Sequence, residues 1–169
     1  MCNGHMSCGG KGRVKMSFFP RSILLATDNS EEAKLAAQAT AELSRETGSE
    51  VHVVYTLPTP AQLIGHHLYS DEARESVIGG AQRDAETFLK EQAEKIGAEG
   101  GKVAETHLRN GEPDKEIIRT AEALDVGLIV IGSRGLGAIS RALLGSVSDS
   151  VVRHAHCPVF VVRGDRASG

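Results

Sequence analysis

Residues 128–135, LIVIGSRG, and, after a spacer of nine residues, residues 145–148, GSVS, form the most informative part of the sequence. The apolar run at 128–131 predicts a buried strand, the glycines predict a loop, and Ser146 opens an amphipathic stretch that predicts a helix. Glycines permit positive φ and a close approach to a ligand, and a helix N-terminus presents unpaired N–H groups to anions. The stretch therefore has the layout of a phosphate-binding loop.

Two named phosphate motifs do not fit this stretch. A Walker A loop needs Lys directly before its Ser or Thr, and here Gly145 precedes Ser146. A dinucleotide-binding fingerprint that starts at Gly135 and Gly137 would end in Gly or Ala, and the chain has Ser140 at that place. The pattern that remains is Gly-x2-Gly-x9-Gly-Ser.

Apolar strands and amphipathic helices alternate on both sides of this stretch. Strands are predicted at residues 23–27, 51–54, 103–108, 128–131 and 159–162, and four helices begin after Ser30 and near Asp71, Pro113 and Ser146. Parallel strands need crossover connections, which cover both faces of the sheet with helices. We expect an α/β fold, a doubly wound five-stranded parallel sheet of the Rossmann-like kind.

Helical periodicity predicts the buried face of each helix. In the long second helix, Gly79 and Gly80 predict a bend or a late start. The predicted buried residues are Ala33, Ala36, Ala37, Thr40 and Leu43 in the first helix, Val77, Ala81, Ala85, Phe88, Leu89 and Gln92 in the second, and Ile117, Ile118, Ala121 and Leu124 in the third.

Doubly wound sheets bind ligands at the carboxyl ends of their strands. Asp28 ends the first strand and Gly132 the fourth, so a small ligand could contact both. Simpler interpretations stay open. Asp28 could only cap the helix after it, Ser146 with Asp149 fits a capping box, and Arg134 could be a solvated loop cation.

The glycine pattern resembles the nucleotide-binding signature of the ATP-binding subgroup of the universal stress protein family. The resemblance extends from about residue 18 to residue 163. The segment SILLATDNS at 22–30 resembles the opening strand of that family, and HCPVFVVR at 156–163 resembles its closing strand. The resemblance implies an adenine nucleotide alpha hydrolase-like form of the Rossmann-like fold.

The resemblance also implies ATP, or AMP or another adenine nucleotide, as the ligand, with Mg²⁺ or Mn²⁺ held through the phosphates. Strand ends would contact adenine and ribose, and the glycine loop with the following helix would contact ribose and phosphates. No catalytic residue and no protein metal ligand is assigned. The matched binding residues are Ala26, Thr27, Asp28, Thr56, Ile131, Gly132, Arg134, Gly135, Gly145, Ser146, Val147 and Ser148.

A nucleotide-dependent stress-response or regulatory module is the function that the resemblance implies, with an unidentified protein partner. It also implies a homodimer through the last strand, Val159-Phe160-Val161-Val162, whose apolar edge favours pairing. The alternative is a slow ATP-hydrolysing or nucleotidyl-transferring enzyme on the same fold. A family member that binds no nucleotide, and a flavin-binding domain, are further alternatives.

Composition favours one globular domain, which we expect at residues 18–165, after a disordered leader or expression remnant at 1–17. The chain has 169 residues, 40% of them hydrophobic, and a net charge of −3. Its basic residues are scattered, and it has two Tyr, four Phe and no Trp. These features argue against binding to nucleic acid or to an anionic membrane.

The chain has neither a run of about 18 apolar residues nor the apolar core of a signal peptide. Its three cysteines have no framework spacing, which agrees with a reducing compartment. We therefore expect a cytoplasmic protein. His66-His67 lies in a Pro-containing loop, and His154-x-His156 lies at a helix end, where a cation suits the negative end of the dipole, so neither pair predicts a metal site.

Overall fold

The computed structural model describes residues 20–59, 70–136 and 144–164. None of the four helices in these ranges combines the length and the apolar character needed to cross a lipid bilayer. The predicted leader, Gly137 and the pair His66-His67 lie outside the described residues. The elements are β1 Ser22–Ala26, α1 Glu31–Thr47, β2 Glu50–Leu57, α2 Asp71–Ala98, β3 Lys102–Asn110, α3 Pro113–Ala123, β4 Leu128–Gly132, α4 Ser146–His154 and β5 Val159–Val162.

The strands form one parallel sheet in the order β3-β2-β1-β4-β5. The chain moves outward from β1 to β3, then returns to the other side of β1 for β4 and β5. The strand order therefore reverses between β1 and β4. This arrangement confirms the predicted α/β fold with a doubly wound five-stranded parallel sheet.

Both faces of the sheet are buried, which explains why the central strands are apolar without alternation. In β1, Ile23 and Leu25 pack with α1 and α2, whereas Leu24 and Ala26 pack with α3 and α4. We refer to these as the α1/α2 face and the α3/α4 face. All four side chains are buried. Helices on both faces were the arrangement that the alternating sequence predicted.

Helix α1 follows the sequence signals at both ends. The Ser30 hydroxyl accepts a hydrogen bond from Ala33 N at 3.2 Å, which confirms Ser30 as the N-cap. Gly48 closes the helix with φ 75° and donates its N–H to Ser44 O at 2.8 Å. The small residue Ala36 is fully buried, so the helix packs closely on the sheet.

Helix α2 differs from the prediction in its first half. It runs without a break through Gly79 and Gly80, and Val77 is 46% exposed instead of buried. Its buried residues begin at Ala85. At 28 residues the helix is roughly 42 Å long, whereas nine-residue β3 spans about 30 Å, so the first turns extend beyond the sheet.

Candidate functional site

A cavity of about 510 Å³ lies at the carboxyl ends of β1, β2 and β4. Strand order reverses at this place, where doubly wound sheets bind their ligands. Its volume falls within the roughly 300–1,000 Å³ range of small-molecule sites. The fold therefore provides a cavity of suitable size at the position that the sequence indicates.

All the binding residues predicted from the sequence line this one cavity; their contact with a ligand remains a prediction. The predicted lining residues are Ala26, Thr27, Asp28, Thr56, Ile131, Gly132, Arg134, Gly135, Gly145, Ser146, Val147 and Ser148. Sequence reasoning missed further lining residues, most of them apolar, whose sequence pattern indicates only burial. These are Ala33, Val54, Pro113, Ile117, Leu136 and Leu144.

The floor of the cavity is apolar. Ala26, Val54 and Ile131 come from three neighbouring strands, and Ile117 comes from α3. All four side chains are buried in the core on the α3/α4 face. An apolar floor suits the apolar part of a ligand, and the polar groups at the edge of the cavity are left to fix its orientation.

The N-terminus of α4 presents unpaired donors to the cavity. Gly145 is the N-cap residue and offers no side-chain cap. The first bond within the helix runs from Asp149 N to Gly145 O at 2.9 Å. Among the hydrogen bonds of the described residues, the N–H groups of Ser146, Val147 and Ser148 have no acceptor. Three adjacent donors at the positive end of a helix form a binding surface for an anion.

Hydrogen bonds tie the start of α4 to the end of β4. Gly145 N donates to Ser133 O at 2.8 Å. The buried Ser148 hydroxyl lies 2.9 Å from Ser133 O and 3.0 Å from Gly145 O, so it donates its proton to these carbonyl groups. A phosphate contact by Ser148 would therefore use its backbone N–H. The Ser146 hydroxyl is on an exposed residue and stays open to a ligand.

The capping-box interpretation of Ser146 and Asp149 is wrong. Ser146 is the first helical residue, because extended Gly145 takes the N-cap position with φ −71° and ψ 157°. Asp149 does not reach back to the helix start. Its carboxylate accepts hydrogen bonds from Arg153 at 3.0 and 3.2 Å. The glycine at the N-cap is what leaves the first N–H groups unpaired.

Asp28 braces the glycine loop against the end of β1. Its Oδ1 accepts a hydrogen bond from Ser30 N at 3.0 Å, and its Oδ2 accepts one from Leu136 N at 3.0 Å. Ser30 is the N-cap of α1, so Asp28 supports the cap residue and is not itself the cap. The Ser30 hydroxyl also donates to Arg134 O at 3.2 Å. Asp28 and Ser30 thus hold the loop from the β1 side.

The loop glycines serve different purposes. A Cβ on Gly132 would lie 2.9 Å from Ala33 N, and one on Gly135 would collide with Asp28 Oδ2. A Cβ on Gly145 would make only ordinary contacts, at 3.4 Å or more. None of these three glycines has a positive φ, so none of them uses the left-handed backbone that glycine permits. Packing explains Gly132 and Gly135, whereas it does not explain Gly145.

The charges at the cavity are few and opposite in sign. Among the described lining residues, Arg134 is the one basic side chain and Asp28 the one acidic side chain. Asp28 already accepts two backbone N–H groups, as described above. The helix end and Arg134 both favour a negatively charged ligand on the α4 side of the cavity.

A hydrogen bond between helices holds α4 in place. The Ser150 hydroxyl donates to Asp114 Oδ2, in the first turn of α3, at 2.6 Å. This bond is the main reason why the pKa of Asp114 is lowered from its ordinary value of 3.8; burial opposes the shift. The contact ties the middle of α4 to the first turn of α3, the helix that places Ile117 on the cavity floor.

Comparisons with known proteins agree with this fold. A model of the universal stress protein family matches residues 20–163. Universal stress protein YxiE of Bacillus subtilis is 32% identical over 145 residues, which cover 83% of this chain and 97% of that protein.

Two solved structures extend the comparison. Universal stress protein UspA from Lactobacillus plantarum has a TM-score of 0.70 at 20% identity, covering 84% of this chain and 97% of that one. The universal stress protein from Archaeoglobus fulgidus, solved in complex with dAMP, has a TM-score of 0.60 at 28% identity, covering 83% and 96%. The chain therefore belongs to the universal stress protein family.

Proposed function

We propose that this universal stress protein binds ATP, or a related adenine nucleotide such as AMP, in the cavity at the ends of β1 and β4. It then acts as a nucleotide-dependent stress-response or regulatory module. The observation that carries the proposal is the N-terminus of α4, where the N–H groups of Ser146, Val147 and Ser148 line the cavity without acceptors. Unpaired donors in a cavity are costly unless water or a ligand accepts from them.

The phosphates would lie against this helix end. Three backbone N–H groups, the positive end of the helix dipole and Arg134 all stabilise negative charge. A hydrogen bond from Arg134 to a phosphate would contribute about 1.5–3 kcal/mol. Gly145 leaves room at this place, since a Cβ there would meet no atom of the described chain closer than 3.4 Å. The glycine at position 145 is therefore explained by room for a ligand rather than by packing within the protein.

Adenine and ribose would lie over the apolar floor. Ala26, Val54 and Ile131 offer an apolar surface, while Asp28 and Thr56 also line the cavity, at the carboxyl ends of β1 and β2. The relative from Archaeoglobus fulgidus, solved with dAMP, supports an adenine nucleotide as the ligand class. Mg²⁺ or Mn²⁺ would be held by phosphate oxygens and water, because the described lining offers one carboxylate, already engaged with two N–H groups.

The side chains that line the cavity also favour binding over catalysis. Phosphoryl transfer needs a group that positions the attacking nucleophile. In the described lining, Asp28 is the one acid, and its two oxygens already accept the backbone N–H groups of Ser30 and Leu136. We therefore propose at most slow hydrolysis, and a nucleotidyl-transferring or ATP-hydrolysing enzyme is the alternative.

We also propose a homodimer formed through Val159–Val162. This strand, β5, is one edge of the sheet, and Phe160 is 44% exposed on it. An apolar edge strand favours pairing with a second copy. Phe160→Lys should shift the protein from dimer to monomer in sedimentation measurements. A wild-type monomer at micromolar concentration, or a dimer unchanged by the substitution, would contradict this arrangement.

The test of the binding site is calorimetric titration with ATP and Mg²⁺ of wild type, Gly145→Val and Gly80→Val. We expect a micromolar dissociation constant for wild type and at least about a hundredfold loss in Gly145→Val, because the branched side chain occupies the space of the phosphates. Gly80 lies in α2, and nothing stands within 4 Å of a Cβ there, so Gly80→Val is the matched control.

Equal affinities in the two variants would overturn the assignment of the phosphate site, and no binding by wild type would overturn the proposed ligand. Analysis of the nucleotide after long incubation separates the two candidate functions. Intact ATP supports the binding module, whereas rapid turnover supports the enzyme. Thermal unfolding of both variants confirms that a lost signal comes from the site and not from the fold.

A further inference from the structure

His52, Glu105 and His107 form a cluster of metal-binding side chain types on β2 and β3. His52 Nδ1 lies 3.2 Å from His107 Nε2, and Glu105 Oε2 lies 4.0 Å from the same nitrogen. One ligand atom from each residue lies within 4.8 Å of the other two. In the described part of the chain, no other group of three such side chains converges in this way.

A β-bulge brings the three residues to one face of the sheet. Val51 pairs with Val103, but the next residue, His52, pairs with Glu105, so β3 contains one extra residue at this point. Val103 and Leu108 both pack on the α1/α2 face, although strict alternation would put residues five apart on opposite faces. The bulge thus turns Glu105 and His107 to the α3/α4 face, beside His52.

We propose that His52, Glu105 and His107 bind a divalent transition metal ion of the zinc type. Two imidazoles and one carboxylate match the three protein ligands of zinc sites that leave the fourth position to water. Zn–N bonds of about 2.0–2.1 Å place two nitrogens of a tetrahedral ion about 3.3–3.4 Å apart. The nitrogens of His52 and His107 have nearly this separation without any movement.

The surroundings of the cluster suit ligation. His107 is 5% exposed, and burial is the main cause that lowers its pKa; Arg109 and His52 lower it further, while Glu105 raises it. The Glu105 side chain is 65% exposed, so it can move to complete the coordination.

Arg109 disfavours an ion at His107 Nε2 and thereby lowers the affinity of the site for the metal. Its Nη2 lies 3.5 Å from His107 Nδ1, and a guanidinium can only donate. The metal-free protein then has the His107 proton on Nε2, where it can be donated to His52 Nδ1. An ion bound at His107 Nε2 requires the ring proton on Nδ1. There the proton would face the Arg109 guanidinium, which is also a donor. Replacing Arg109 by a residue with an acceptor should therefore strengthen metal binding.

The metal site is separate from the nucleotide cavity and does not rest on the proposed function. Thr56, which lines the cavity, lies four residues along β2 from His52 and pairs with Arg109. Four residues of strand correspond to about 13 Å. Loss of metal binding should therefore leave nucleotide binding unchanged, and Gly145→Val should leave metal binding unchanged.

The experiment is a Zn²⁺ titration of the full chain in competition with a chromophoric chelator, repeated with Co²⁺ to read the ligand type from the visible spectrum. We expect His52→Ala to lose one Zn²⁺ equivalent that wild type binds, and Glu105→Gln to weaken that equivalent about tenfold. Arg109→Gln, which supplies an amide oxygen to Nδ1–H, should strengthen it about tenfold. His154→Ala controls for the loss of an exposed histidine.

Identical Zn²⁺ binding by wild type and His52→Ala would overturn the site and leave the two imidazoles as a hydrogen-bonded pair. A Co²⁺ spectrum with thiolate charge transfer would also overturn it, because it would assign the ion to the cysteines. Weakened binding in Arg109→Gln would overturn the assignment of Nε2 as the ligand atom. Circular dichroism of each variant excludes loss of the fold as the cause.

Discussion

The two ends of the glycine loop differ in what surrounds them. At the β4 end, Gly132 lies against the backbone of α1, and Gly135 lies against the Asp28 carboxylate. At the α4 end, a Cβ on Gly145 would make only ordinary contacts, and the N–H groups that follow this residue have no acceptor among the described residues. One end is filled by the protein, whereas the other is open to the cavity.

This difference separates two roles that a single sequence pattern combines. Glycine at the β4 end allows α1 and the sheet to approach closely, which stabilises the fold. Glycine at the α4 end leaves both the space and the donors that a phosphate would use. Substitutions at the first end should therefore change stability, and substitutions at the second end should change affinity.

Gly132→Ala should have the largest effect on stability. The added Cβ would lie 2.9 Å from Ala33 N and from Glu32 C, backbone atoms that cannot move aside. We expect a loss of about 2–3 kcal/mol in the free energy of unfolding, measured in urea. Gly145→Ala, with ordinary contacts, should cost about 1 kcal/mol or less. Equal losses in the two variants would remove the contrast between the two ends.

Arg134→Gln should have the largest effect on affinity short of blocking the cavity. Loss of the charge should weaken ATP binding by about ten- to a hundredfold, which corresponds to about 1.5–3 kcal/mol. AMP, with fewer phosphate charges, should lose less. Calorimetry with both nucleotides measures this difference. The same loss for ATP and AMP would mean that Arg134 does not contact the outer phosphates.

Ser148→Ala should have a smaller effect, on stability rather than on affinity. Its hydroxyl serves the carbonyl groups of Ser133 and Gly145, so its loss should cost about 1 kcal/mol of unfolding free energy. The backbone N–H remains, and ATP affinity should change less than about threefold. A tenfold loss of affinity at unchanged stability would show that the hydroxyl itself binds the ligand.

Ser150→Ala should have the smallest effect, and one that depends on pH. The hydrogen bond to Asp114 lowers the pKa of that carboxyl below 3.8 in the folded state, so its stabilisation is complete above this value and is lost as the pH falls through the lower folded pKa. At neutral pH we expect a loss below about 1 kcal/mol, because Ser150 and Asp114 are only half-buried and solvent screens their interaction. Urea unfolding of both proteins should converge below pH 3.8. A difference that persists in acid would contradict this origin.

Most of the fold could be predicted from the sequence because its signals are local. Continuous apolar runs marked the buried strands, and Ser30 and Gly48 marked the ends of α1. The exposure of Val77 could not be predicted, since it depends on how far α2 extends beyond the sheet. The domain limits, the leader at 1–17, the cytoplasmic location and the homodimer remain predictions.

The two candidate sites differ in how far their residues could be predicted from the sequence. The cavity residues follow directly after strands, and the carboxyl ends of parallel strands meet at one edge, so they could be predicted together. The cluster of His52, Glu105 and His107 could not be predicted. It depends on the register between β2 and β3 and on one extra residue in β3, which packing on the α1/α2 face determines.

The hydrogen bonds that connect Ser133, Gly145 and Ser148 have a consequence for recognition. They fix the start of α4 within the protein itself, so the direction of its three unpaired N–H groups is set during folding. The phosphate that we propose for this cavity would meet preorganised donors, so that little conformational entropy of residues 145–148 would be lost on binding. For such a ligand, selectivity at this end would depend on the shape and charge of the anion rather than on induced fit.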